Sequence, residues 1–266
     1  MQYTLKDHGF TLLRGVYNDR DLAAVRAILV EAINGEKNTA YDPFERFYLR
    51  HRIDQGVLYD VFQRHPEFSE FVRNDTVLDC LETVLGQNIL LYENSVVYKP
   101  KGKKNGVPFH QDFMSRQHEP RKFIAWTALE DIRKDSGALK VLPGSHKNGF
   151  LPFVRIKGET HHDRLDQNSL DTSLAVHVDM EPGDVLIFDQ LLVHGSDEMS
   201  TDNMRFAFRA SYQSFDEIFV PRGSPIAVRR GDSKSLPAHF FGADPDAKKN
   251  FVVRFLNGVG RKLARI

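Results

Sequence analysis

The sequence contains a single cysteine, Cys80. An intrachain disulfide is therefore excluded, and a reducing compartment is the natural setting. Cys80 sits in an apolar helical pattern and reads as core filler. Net charge is absent too: 36 Lys and Arg balance 36 Asp and Glu. Bulk charge thus gives no attraction to nucleic acid or to an anionic membrane. The basic stretches Lys99 to Lys104 and Arg229-Arg230 are short and read as solvated loops. No apolar run approaches the roughly 20 residues of a membrane span. The opening MQYTLKDHGF lacks the apolar core of a signal peptide. No internal repeat or low-complexity linker is present. These absences leave a cytoplasmic globular protein without nucleic-acid or membrane partners as the expectation. The 41% hydrophobic and 27% charged residues suit an ordinary folded domain.

The first third reads as helical. GFTLLRGV forms a short strand, and Asn18 or Asp19 caps a helix with Leu22, Val25, Ile28, Leu29, Ala32 and Ile33 on one face. A second helix starts near Pro66 with Phe68, Phe71 and Val72. A third runs from Asp75 to Leu85 and stops at Gly86. From residue 88 the period changes. Asn88 to Tyr98, Phe123 to Leu129, Ala138 to Leu142, Leu174 to Val178, Asp184 to Val193 and Met204 to Tyr212 read as strands divided by Pro-Gly and Gly-Asp turns. Helices followed by many short strands predict a mainly β (α+β) fold, a barrel or two-sheet jelly roll with helices on one side. The expected division is one domain over 1–266: a helical part to about 87, a β core over about 88–215 and an extension over 216–266. The polar segment from about Arg155 to Thr172 is the best candidate for a loop over a site.

The pattern His-x-Asp occurs three times: His110-Gln111-Asp112, His161-His162-Asp163 and His177-Val178-Asp179. His65-Pro66-Glu67 is a relative of it. Residues two apart on a strand point to the same face, so each pair can offer two ligands side by side. A ferrous site of two His and one carboxylate needs a second His from another strand and leaves positions open. His194 ends GDVLIFDQLLVHGS, read as a strand whose Leu186, Phe188, Gln190, Leu192 and His194 share a face. His177-Val178-Asp179 stands only a hairpin away from His194, with nothing built around the pair. His161-His162-Asp163 lies in the polar segment. Glu67 suits the first turn of a helix. His110-Gln111-Asp112 is flanked by Phe109 and Phe113, and most of the β region separates it from His194, a gap that a barrel can close. Arg205 and Arg209 share a face on the next strand. A buried guanidinium there needs an anionic partner, such as a carboxylate-bearing cosubstrate. Strand parity does not separate the two arginines.

Several stretches together resemble the phytanoyl-CoA dioxygenase (PhyH-like) family of iron(II)- and 2-oxoglutarate-dependent oxygenases. They are VVYKPKGKKNGVPFHQD, FIAWTALEDI, DSGALKVLPGSHK, PGDVLIFDQLLVHGS and the MRFAFR strand, in the family's order over roughly residues 88–212. The resemblance implies a double-stranded β-helix (cupin-like jelly roll) with the metal at one mouth. It implies His110, Asp112 and His194 as ligands of Fe(II), and Arg205 as the residue holding the distal carboxylate of 2-oxoglutarate. Gln111 and Trp126 match positions lining the cosubstrate site, and Ser95 aligns near another. Lys99 matches a common lysine to which no role is assigned, while Pro143, Gly144, Ser145 and His146 read as structural. The implied chemistry consumes 2-oxoglutarate and O2, releases succinate and carbon dioxide, and oxidises an unactivated C–H bond. Related halogenases lack the carboxylate, so Asp112 argues for an oxygenase outcome. The implied partner is a small molecule. The divergent regions hold Arg50, His51, Arg52, Ser115, Arg116, His118, His161, His162 and Arg222, which favours a polar or anionic one. The alternatives are a metal-binding sensor on a cupin-like barrel and a zinc hydrolase.

Overall fold

The computed structural model describes residues 3–39, 56–99, 106–154, 164–168, 170–201, 205–217 and 226–229. The amino-terminal part contains α1 (Leu5–His8), β1 (Phe10–Leu13), α2 (Asp19–Thr39), β2 (Val57–Tyr59), α3 (Val61–Arg64), α4 (Ser69–Arg73) and α5 (Asp75–Leu85). The side chain of Asn18 caps α2 by accepting from the Arg20 and Asp21 amides. Gly86, at φ 76°, ends α5 by donating its amide to the Glu82 carbonyl. The predicted helices therefore form where their periodicity and caps place them.

The remaining strands are β3 (Ile89–Lys99), β4 (Val107–His110), β5 (Lys122–Ala128), β6 (Leu139–Val141), β7 (Phe153–Val154), β8 (Arg164–Leu165), β9 (Val176–Val178), β10 (Val185–Asp189), β11 (His194–Ser196), β12 (Arg205–Ser214) and β13 (Ile226–Arg229). A large sheet has the order β1-β10-β5-β12-β3-β13, with β2 also on β3. A smaller one has the order β4-β11-β6-β9, and β7 pairs with β8. All the recorded pairings are antiparallel. The amino-terminal part is thus not purely helical, since β1 and β2 extend the large sheet.

Alternation along the strands sorts two cores. Phe123, Ala125, Ile187, Phe206, Phe208 and Tyr212 point away from the small sheet and pack on Leu22, Val25, Leu29, Phe71 and Leu78 of the helices. Phe68 lies 5.0 Å from the Phe208 ring, and Tyr212 donates its hydroxyl to the Val72 carbonyl at 3.2 Å. The opposite parity brings Ile124, Trp126, Leu186, Phe188 and Ala207 against Val141 and Val178 of the small sheet. The polar residues of that inner face are the ones that form the site.

Two expectations are corrected. Lys99 and Arg229 are not in solvated loops: Lys99 is buried at the end of β3, and Arg229 ends β13 and binds Asp75, Asp79 and Glu82. Asp184 to Val193 is not a single strand running to His194. The chain leaves the large sheet at Asp189, turns, and enters the small sheet at His194. Asp189 drives the break: its carbonyl accepts from the Leu192 amide, and its carboxylate accepts from the Leu191 amide at 2.9 Å. The common face proposed for Leu186 through His194 therefore ends at Phe188. Of the segment from Arg155 to Thr172, residues 155–163 and 169 lie outside the described residues. So do Arg50, His51, Arg52, Lys101, Lys103, Lys104, His161, His162, Asp163, Arg222, Arg230 and most of the extension 216–266.

Candidate metal and cosubstrate site

His110 ends β4 and His194 begins β11, and the two are direct partners across that antiparallel pair. Their rings lie 4.2 Å apart. Asp112 follows two residues after His110, with its amide bonded to the Gln190 carbonyl at 3.0 Å. One ligand atom from each of His110, Asp112 and His194 falls within 4.8 Å of the others. No other such group of three occurs among the described residues.

The electrostatics suit a cation. Nδ1 of His110 lies 2.9 Å from the Pro108 carbonyl, and Nδ1 of His194 lies 2.9 Å from the Leu192 carbonyl. A carbonyl only accepts, so both Nδ1 atoms carry the proton and both Nε2 lone pairs are free to ligate. Burial, followed by the neighbouring His194, pushes His110 down to about 4; burial also lowers His194. Both imidazoles are thus neutral at pH 7. Burial alone would raise Asp112, but Arg209 and the two histidines bring it down to about 2. Neutral, neutral and anionic is the donor set of a two-His-one-carboxylate iron site.

The two arginines that parity left equivalent are separated by their partners. Arg209 binds Glu93 at 3.0 Å and Asp112 at 3.2 Å. Arg205 is buried and makes no ion pair among the described residues. It donates from Nη1 to the Gly137 carbonyl and lies 5.3 Å from the Trp126 ring, and its Nε finds no partner among the described residues. Lys99, directly across from Arg205 on β3, reaches the Ser196 hydroxyl at 3.2 Å. Burial, together with repulsion from Arg205, lowers Lys99 to about 7. Two buried cations and a hydroxyl therefore converge where a carboxylate would be welcome. Gly137 makes room for them: a Cβ there would lie 2.7 Å from Lys99 Nζ and 3.4 Å from Arg205 Nη1.

Trp126 thus stands beside Arg205, and Ser95 stands directly across from Arg209 in the sheet. The carboxamide of Gln111 is committed to the main chain. It donates to the Gly149 and Leu191 carbonyls and accepts from the Leu151 amide. It ties the ligand turn to two loops. Ser145 and His146 also bind main chain, at the Val193 amide and the Lys6 carbonyl. His177 is taken by Asp197 at 2.6 Å. Ser196 escaped the sequence reading, although its position two residues after His194 on one strand was the available signal. Arg209 was seen, but its partners Glu93 and Asp112 were not, because only the folded strands bring them together.

Comparison with known proteins gives the same chemistry. The pattern of the phytanoyl-CoA dioxygenase (PhyH) family matches residues 5–207. This chain belongs to the phytanoyl-CoA dioxygenase family of iron- and 2-oxoglutarate-dependent oxygenases. It is 31% identical over 192 residues to the human peroxisomal phytanoyl-CoA dioxygenase, covering 69% of this chain and 57% of that protein. The chain therefore spans little more than half the length of that relative. In fold, this member of the phytanoyl-CoA dioxygenase family is similar to the non-haem monooxygenase ThoJ, with a TM-score of 0.69 at 17% identity over 98% of both chains. It is also similar to iron-bound EctD from S. alaskensis, with a TM-score of 0.67 at 19% identity over 85% of this chain and 84% of that one. The double-stranded β-helix of those structures is the two-sheet core described above.

Proposed function

We propose that the chain is an iron(II)- and 2-oxoglutarate-dependent dioxygenase acting on a small, polar molecule. The observation that carries this reading is the cluster of His110, Asp112 and His194, with both imidazoles held so that Nε2 is free. Bound iron(II), with 2-oxoglutarate and O2, supplies the oxidation: the cosubstrate becomes succinate and carbon dioxide, and an unactivated C–H bond is oxidised.

The residues of the chain have distinct parts in this reading. His110, Asp112 and His194 hold the metal. Arg205 binds the distal carboxylate of 2-oxoglutarate, aided by Ser196 and Lys99, and Trp126 walls the same end. Ser95 lines the sheet beside Arg209. Gln111 positions the ligand turn through its three main-chain bonds. Burial of Lys99, Trp126, His194 and Arg205 strengthens the charge contacts at the cosubstrate end. A zinc hydrolase or a metal-binding sensor has no use for a buried arginine that makes no ion pair among the described residues, so both rank behind the oxygenase.

The test is anaerobic titration of the apo-protein with ferrous iron and 2-oxoglutarate, following the weak visible charge-transfer band of the chelate. The band forms in the wild type and is lost in His110→Ala. Iron binding with no band would remove 2-oxoglutarate from the reading.

A further inference from the structure

The inner face of β12 presents Arg205, Ala207, Arg209, Ser211 and Gln213 in one row, because alternate residues of a strand face the same way. Arg205 marks the cosubstrate end, and Arg209 marks the metal cluster through Asp112. Each further pair of residues advances roughly 7 Å. Ser211 and Gln213 therefore continue the row on the side of the cluster opposite Arg205. A cosubstrate anchored at Arg205 and chelated at the metal leaves that side for the substrate.

Those two side chains stand out by what they lack. Ser211 and Gln213 are fully buried, yet the Ser211 hydroxyl and both polar atoms of the Gln213 carboxamide have no hydrogen-bond partner among the described residues. Native proteins rarely leave three buried polar atoms unmatched in adjacent places, and each such group asks for a reason. The charged groups beside them on the strand and across from them have no such need. Arg209 is paired with Glu93 and Asp112, and Lys122, directly across from Gln213, is paired with Glu119. What remains unmatched at this end of the row, among the described residues, is neutral: one hydroxyl and one carboxamide.

Two backbone features accompany this stretch. The pairing of β12 with β3 slips between Ser211 and Tyr212, leaving Tyr92 as the extra residue of a bulge. Bulges next to functional sites redirect a side chain. Phe113, immediately after Asp112, adopts φ 56°, a strained conformation for a bulky residue. Its ring stands 5.4 Å from the Arg209 guanidinium and 5.1 Å from Lys122 Nζ.

We infer that Ser211 and Gln213 form a subsite for a neutral group of the substrate that both donates and accepts hydrogen bonds, such as a carboxamide, lactam or hydroxyl. Its placement rests on the oxygenase reading. The charges at the facing positions are paired within the protein, and Arg116 is held at the Tyr92 hydroxyl at 3.0 Å, so a neutral group suits the subsite better than a free carboxylate or phosphate. This narrows the polar-or-anionic class suggested by composition to its neutral members.

The test uses two probes of one size, isobutyramide and isobutyrate, followed by saturation-transfer NMR on the full chain with 2-oxoglutarate. Isobutyramide binds the wild type at least tenfold more tightly than isobutyrate. Mn(II) in the iron site broadens the bound amide's resonances. Ser211→Ala and Gln213→Met each weaken amide binding at least tenfold, while their melting temperatures equal or exceed that of the wild type, since no internal bond is lost. Equal or stronger binding of isobutyrate overturns the inference. So do amide binding that ignores both substitutions, resonances untouched by Mn(II), or a fall in melting temperature in both variants. The charge-transfer band, read on the same samples, separates this inference from the oxygenase reading. A band without amide binding removes only the subsite, and Gln213-dependent amide binding without a band removes only the oxygenase.

Discussion

Arg209 bridges Asp112 and Glu93, with Nη2 3.2 Å from the one carboxylate and Nη1 3.0 Å from the other. The arginine holds together two acids that would otherwise repel each other inside the protein. Removing one partner of a buried ion pair costs about 3–5 kcal/mol because the other charge is left uncompensated. Arg209→Leu is therefore expected to lower the melting temperature of the metal-free protein strongly. A divalent cation should recover part of the loss, because it supplies the missing positive charge at Asp112. Thermal melts of wild type and variant, with and without Mn(II), check this. A variant that melts with the wild type would show that the bridge contributes nothing.

Arg205 is expected to respond differently. It makes no ion pair among the described residues, and Glu130, the acid whose charge it feels, is also held by Arg26, so Arg205→Ala leaves no carboxylate without a cation. Its loss should appear in cosubstrate affinity. A hydrogen-bonded contact to a charged group is worth about 1.5–3 kcal/mol, or roughly 10–100-fold in binding. Titration of 2-oxoglutarate against the charge-transfer band should show that weakening, with metal affinity nearly unchanged. If Arg209→Ala weakens 2-oxoglutarate more than Arg205→Ala does, the two roles are assigned the wrong way round.

Much of this arrangement was legible in the residues. The helix faces, the caps at Asn18 and Gly86, and most strands follow from periodicity and turn chemistry. The choice of His110, Asp112 and His194 rested on context and on the family resemblance. What periodicity could not register is where a strand changes sheets. The apolar run through Leu186, Phe188 and Leu192 hides the turn at Asp189, because both sides of the break are buried. Strands as short as β4 and β11 are equally hidden: their pairing is long-range, and a few residues carry no period. Arg205 and Arg209 share parity, so only their partners tell them apart. Those partners, Glu93 and Gly137, lie 116 and 68 residues away in sequence.

Gly137 is expected to tolerate no side chain. Its φ of 79° and ψ of 44° are left-handed, which costs a non-glycine residue roughly 1–2 kcal/mol. A Cβ would also press on Lys99 and Arg205. Gly137→Ala should therefore weaken 2-oxoglutarate binding by more than a loss of stability alone explains. Equilibrium unfolding and cosubstrate titration on the same variant separate the two effects. Unchanged cosubstrate affinity beside a destabilised fold would mean that Gly137 serves the turn only.

Lys99 gives the pH dependence a sign. Burial and Arg205 lower it to about 7, from an unfolded value of 10.5. Between those values the unfolded chain holds a proton that the folded chain lacks, so this group makes stability rise as pH rises from 7 toward 10.5. Cosubstrate binding runs the other way. A carboxylate beside Arg205 favours the ammonium form of Lys99, so binding takes up a proton whenever Lys99 is neutral. Below pH 7 the charge is already present. Above it, affinity for 2-oxoglutarate should fall, by at most about tenfold per pH unit. Lys99→Met should bind more weakly than the wild type at pH 6 and lose most of the slope above pH 7. The measurement is the midpoint of the 2-oxoglutarate titration at pH values from 6 to 9, with iron kept saturating. A flat wild-type profile, or an equal slope in Lys99→Met, would remove Lys99 from the cosubstrate site and leave Arg205 and Ser196 to hold the distal carboxylate alone.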